Sequence, residues 1–163
     1  MSKGLSDLVK SFEEDLRRGA ADVDGYCREA ADAARGAPPN RLLGVLNEAL
    51  RRLLDVPLGR ELDVLPPVLL AGVLFRAACE SEGPDRNAAA LFGYAYATLA
   101  AGRPAGSAVF LLAAVAAARG RADVATQLLG RIGADLEGFV GSACGAVGLA
   151  KLLEGYGIDS IPD

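Results

Sequence analysis

The sequence predicts an all-α fold of about eight antiparallel helices, built as an irregular bundle or as a short array of helical hairpins. Three observations predict it. Apolar residues recur at three- and four-residue spacing along most of the chain, the period that lines up one face of a helix. Glycines and prolines fall mainly between those stripes, where they punctuate elements. Hydrophobic residues make up 52% of the 163 but aromatics only 6%, with no Trp, so the core is made of Ala, Leu and Val and its elements must pack closely. No stretch alternates apolar and polar residues long enough to argue a strand.

The elements follow in order. Leu5, Leu8, Val9, Phe12 and Leu16 form the first stripe, and Val23, Tyr26, Cys27, Ala30 and Ala34 the second. Leu42, Leu43, Leu46, Leu50, Leu53 and Leu54 form the third, with Asn40 in place to cap it. Pro66-Pro67 suit the first turn of a fourth helix, because proline lacks only an N–H that a first turn leaves unused. Gly83-Pro84 is expected to end that helix and Asp85 to cap the fifth, near residue 86. Pro104 opens the sixth and Asp123 lies near the start of the seventh; the eighth begins near residue 136. Short connections between such helices force neighbours to run roughly antiparallel.

The apolar run from Ala105 to Ala118 invites a membrane reading. Its length argues against that reading: at about 1.5 Å per residue it spans about 21 Å, short of the ~30 Å hydrocarbon core. The preceding run, Ala88 to Ala101, is equally short, and Gly102-Arg103-Pro104 separates the two. An arginine there would be costly in lipid. The runs are expected to be core helices packed in pairs.

Leu91-Phe92-Gly93-Tyr94, then Gly102-Arg103 and Ala108, resembles a blurred tetratricopeptide repeat, and Phe110-Leu111-Leu112, Gly120-Arg121 and Ala125 a second copy. The resemblance covers about 45 residues and implies a helical-hairpin array. The chain departs from that family in lacking Trp, and its two Gly-Arg turns are one helix apart rather than one hairpin apart.

Catalytic chemistry finds little material. The chain has no histidine, which removes the commonest general base and metal ligand. Phosphate-binding glycine loops are absent from the sequence. Cys27, Cys79 and Cys144 are far apart and odd in number, which argues against disulfides or a zinc site and for buried small hydrophobes. Glu13, Glu14 and Asp15 diverge around a helix and read as a solvated face, with Glu13–Arg17 and Glu14–Arg18 pairs. A non-enzyme without cofactor or metal is expected.

The expected role is a protein–protein interaction module: a scaffold, adaptor or small assembly subunit that binds another protein or itself. Two surfaces are candidates. One surrounds Tyr94 and Tyr96; the other follows glycines that recur at helical spacing in Leu136–Leu153, above all Gly141 and Gly145. The alternative rests on arginine, of which there are 14 against three lysines. Arg51, Arg52, Arg119 and Arg121 could contact phosphates in a nucleic-acid-processing complex, since the guanidinium fork suits phosphate and carboxylate alike. Complementation of helix C-termini explains arginines at helix ends equally well. A net charge of −4 disfavours a dedicated nucleic-acid binder, so nucleic acid is expected only within a larger complex. A membrane-associated helical protein is the remaining alternative, although no membrane partner is expected. The amphipathic, charged N-terminus lacks the apolar core of a secretory signal and points to the cytoplasm. Residues 1–156 read as one helical domain and 157–163 as a tail.

Overall fold

The computed structural model of the chain describes residues 4–56 and 58–144. All regular elements among them are helices: α1 (Leu5–Arg18), α2 (Val23–Arg35), α3 (Pro39–Leu53), α4 (Glu61–Val64), α5 (Pro67–Cys79), α6 (Gly83–Ala100), α7 (Pro104–Ala118), α8 (Ala122–Gly130) and α9 (Leu136–Cys144). The fold is all-α, packed as a bundle. The expected tail, 157–163, lies outside the described residues, as does everything after Cys144.

α6 and α7 form the central hairpin. Every residue from Ala105 to Ala117 is buried, and so is every residue from Ala88 to Leu99. A helix that is apolar all round must be covered on all sides, and here the cover is protein. α5 packs on α6, α2 and α8 pack on α7, and α1 and α3 close the remaining side. Among the described residues no helix is long and apolar enough to cross a membrane.

Outer helices bury one stripe each. α1 buries Leu5, Leu8, Val9, Phe12 and Leu16, and α3 buries Leu42, Leu46, Ala49 and Leu50, the faces their spacing marks. Burying each such Leu or Phe contributes about 1.5–3 kcal/mol. The buried Thr and Ser hydroxyls of the hairpin are paired: the Thr98 hydroxyl donates to the Tyr94 carbonyl at 2.7 Å, and the Ser107 hydroxyl donates to the Ala95 carbonyl at 2.7 Å.

The glycine turns explain the sharp reversals around the hairpin. Gly102 and Gly120 both have φ of 76°, a left-handed conformation open to Gly at little cost. After α6, the Arg103 N–H donates to Thr98 (2.9 Å) and Gly102 to Leu99 (3.0 Å). After α7, Arg121 donates to Ala116 (2.9 Å) and Gly120 to Ala117 (3.0 Å). These paired bonds satisfy carbonyls the helix end leaves open, and they give the two Gly-Arg pairs the same geometry.

Several local expectations are corrected. Asn40 does not cap α3; Pro39 holds the first helical position, and the N-cap is Pro38, without a side-chain bond. Gly83-Pro84 belongs to the first turn of α6 instead of ending α5, and Asp85 lies within that turn. Proline fixes φ near the helical value, so each of these prolines starts a helix. The cysteines are not uniformly buried: Cys27 is half-buried and Cys79 exposed, because Cys79 ends α5 and its thiol lies at the rim, 3.8 Å from the Ala143 carbonyl. The side chain of Cys144 lies outside the described residues.

Candidate functional site

Charged side chains from three separate parts of the chain meet where α1, α3 and the α7–α8 turn come together. Glu13 is at the centre. Its position is four residues after buried Val9 and next to buried Phe12, so it stands at the edge of the apolar stripe and its side chain is only 11% exposed. Two guanidinium groups close on it. Arg52 Nη1, from the last turn of α3, lies 2.6 Å from both carboxylate oxygens. Arg119 Nη2, from the C-cap of α7, lies 3.0 Å from Oε1. Charge-assisted bonds of this kind are about twice as strong as neutral ones.

A pocket of about 440 Å³ surrounds this cluster, lined by Lys10, Glu13, Glu14, Leu16, Arg17, Arg52, Arg119 and Arg121. Five cations therefore face two carboxylates, in a chain whose net charge is −4. Glu14 is held by Arg17 and Arg18, and the Arg17 hydrogen bond keeps its carboxyl below the usual carboxylate range. Arg121 is paired with Asp123 at 3.1 Å, and its Nη1 comes within 3.5 Å of the Leu16 carbonyl. Lys10 has no ion-pair partner among the described residues.

The sequence-level phosphate set divides here. Arg52, Arg119 and Arg121 converge on one pocket, whereas Arg51 points elsewhere and pairs with Asp63 at 2.7 Å. The solvated-face expectation is corrected at Glu13 and Asp15, while the expected Glu14–Arg18 pair forms at 3.2 Å. Glu13 turns away from Arg17 toward Arg52 and Arg119, and Asp15 accepts the Tyr26 hydroxyl. Glu13 and Lys10 are the site residues that pattern reading missed; the available signal was the four-residue step from Val9 to Glu13, which puts Glu13 beside the buried stripe.

The partner-binding set also divides. Tyr94 and Tyr96 are 2% and 0% exposed, so neither offers a surface, a correction that follows from the all-round burial of α6. Tyr94 sits among Phe75, Phe110 and Phe139, with ring centroids 4.9, 5.6 and 4.6 Å away. The Tyr96 hydroxyl donates to Asn47 Oδ1 at 2.7 Å, and burial pushes its pKa up. Gly141 is exposed and lines a second, wider pocket of about 680 Å³ between the first turns of α6, α8 and α9. That pocket carries Arg86 with Asp123, Asp135 and Glu137, and the Asp135 carboxylate accepts the Gly138 N–H at 2.9 Å. Gly145 lies outside the described residues. A third groove, of about 320 Å³, runs beside Cys27 and Val109 between α2 and α7, with Arg131 paired to Asp24 at its rim.

No family model, curated protein or solved structure matches the chain.

Proposed function

We propose that the chain is a non-catalytic protein–protein interaction module that docks its partner at the Arg52–Arg119 pocket. The observation that supports it is the convergence of five cationic side chains, from helices far apart in sequence, on one open depression. Side chains brought together only by folding, and left a third to a half exposed as Arg52 and Arg119 are, suit recognition of an anionic surface. The absence of histidine from the sequence supports a binding role over acid–base catalysis. The consecutive packing of α5 on α6, α6 on α7 and α7 on α8 supports a helical-hairpin array of tetratricopeptide-like character as the scaffold that carries the pocket.

Affinity isolation from the native host, followed by mass spectrometry, tests the role. The chain and its Arg52→Glu/Arg119→Glu variant are compared side by side. Specific proteins recovered with the first and lost with the second are expected. Recovery of the chain alone, or of the same proteins with both, overturns the proposal.

A second reading, a helical subunit of a nucleic-acid-processing complex, draws on the same convergence of Arg52, Arg119 and Arg121. It is tested by retention on DNA or RNA as salt is varied, since phosphate contacts make binding steeply salt-dependent.

A further inference from the structure

We infer, resting on the reading that this pocket is a docking place, that its ligand is a short acidic segment of a partner protein, one carboxylate of which takes the seat Glu13 occupies between Arg52 and Arg119. Glu13 is then an internal competitor that sets how strong a ligand must be.

The seat itself gives the ligand's chemistry. It already holds a carboxylate, with donors at 2.6 and 3.0 Å from two guanidinium groups. Guanidinium presents several N–H donors in a planar fork, so groups that are 37% and 52% exposed keep donors directed at solvent after binding Glu13. Lys10 lies one turn before Glu13 on the same helix and lines the same depression, where it can meet a second carboxylate. Glu13 can yield the seat: its side chain has three rotatable bonds, and the two guanidinium groups that hold it are 37% and 52% exposed, so water can solvate them as the pair opens.

The surroundings favour a compact ligand over an extended polyanion. Glu14 lines the pocket, Asp123 stands against Arg121, and Glu48 shares the adjoining crevice with Lys10 and Arg52. A nucleic-acid strand passing through would bring its phosphates against these acids. Two or three carboxylates on a short peptide fit between them.

Fluorescence anisotropy with a labelled hexaglutamate peptide, at low and at raised salt, tests the inference. The chain binds the peptide and loses it as salt rises. Glu13→Gln binds about two- to fivefold tighter, in line with removal of an internal competitor for the same donors. Arg52→Gln and Arg119→Gln each bind about tenfold weaker or worse, in line with loss of a hydrogen bond to a charged group. Arg60→Gln, outside the pocket, is unchanged, and unaltered far-UV circular dichroism shows that each variant is folded. Absence of binding by both the parent chain and Glu13→Gln overturns the inference, as does weaker binding by folded Glu13→Gln. A thymidine oligonucleotide that binds more tightly than hexaglutamate through the same arginines also overturns it and assigns the pocket to phosphate. If host proteins are lost on Arg52→Glu/Arg119→Glu while hexaglutamate never binds, the docking reading stands and the acidic ligand falls. If those proteins are retained, the docking reading itself has failed.

Discussion

Asn47 is the polar residue on which the lower core turns. It is 7% exposed, its amide donates to the Leu62 carbonyl at 3.2 Å, and its carbonyl oxygen accepts the Tyr96 hydroxyl at 2.7 Å. One side chain thereby ties α3 to the short α4 and to the central α6. Asn47→Ala removes both bonds and leaves a buried hydroxyl and a backbone carbonyl without partners, each costing about 1–3 kcal/mol. Tyr96→Phe leaves only one group, the Asn47 carbonyl oxygen, without its partner and is expected to cost about 1–2 kcal/mol. Urea denaturation should therefore rank Asn47→Ala well below Tyr96→Phe; equal midpoints would refute the network. Nothing in the sequence signalled this. Asn47 follows Leu46 inside a leucine stripe, and which of two adjacent positions turns inward depends on the neighbouring helix. For Glu13 the step from Val9 marked a place beside the stripe, but its partners stayed hidden until α3 and α7 brought arginines over it.

At the scale of the helix, two glycines separate packing from propensity. Gly44 lies inside α3, exposed, and a Cβ there would meet nothing within 4 Å. Gly44→Ala should therefore stabilise the protein by about 0.5–1 kcal/mol, the helix-propensity difference between the two residues. Gly93 lies inside α6, and a Cβ there would stand 2.5 Å from Phe75 Cε1 and 2.7 Å from Cδ1. Phe75 is itself buried and packed against Tyr94, so its ring has little room to withdraw. Overpacking typically costs about 1–3 kcal/mol, which exceeds the propensity gain, and Gly93→Ala should lower the thermal midpoint while Gly44→Ala raises it. A rise in both would mean that Phe75 repacks freely. Helices of this kind were legible from sequence. Stripe spacing gave the buried faces of α1 and α3, and the prolines gave the starts of α5 and α7, because both signals are local. Four-residue α4 was not legible, since one turn between Gly59 and Pro66 has no periodicity to read.

Across the whole molecule, the Ala-rich pair α6–α7 was recognisable as core because its runs are too short for a bilayer and too apolar for a surface. The burial of Tyr96 within that core was not recognisable, and the surroundings of Tyr96 and of half-buried Tyr26 have a consequence for pH. Burial, and then the Asp15 carboxylate that accepts its hydroxyl, raises the pKa of Tyr26 above the ordinary tyrosine value. Burial raises that of Tyr96 in the same direction, opposed by the positive charge of Arg51. In the unfolded chain both phenols ionise near pH 10. Above that pH the unfolded state has lost protons that the native state keeps, so native binding of protons exceeds unfolded binding and stability falls as pH rises. The contribution of these phenols is complete below about pH 10 and is lost as pH climbs from there toward the folded values. An alkaline titration should show the phenolate absorbance of Tyr26 and Tyr96, isolated by difference against Tyr26→Phe and Tyr96→Phe, appearing together with the loss of helical circular dichroism. The double variant should lose stability less steeply with pH in that window. Phenolate formation at ordinary pH with helicity intact would show both rings open to water and would contradict the packing of α1 on α2 and of α3 on α6 alike.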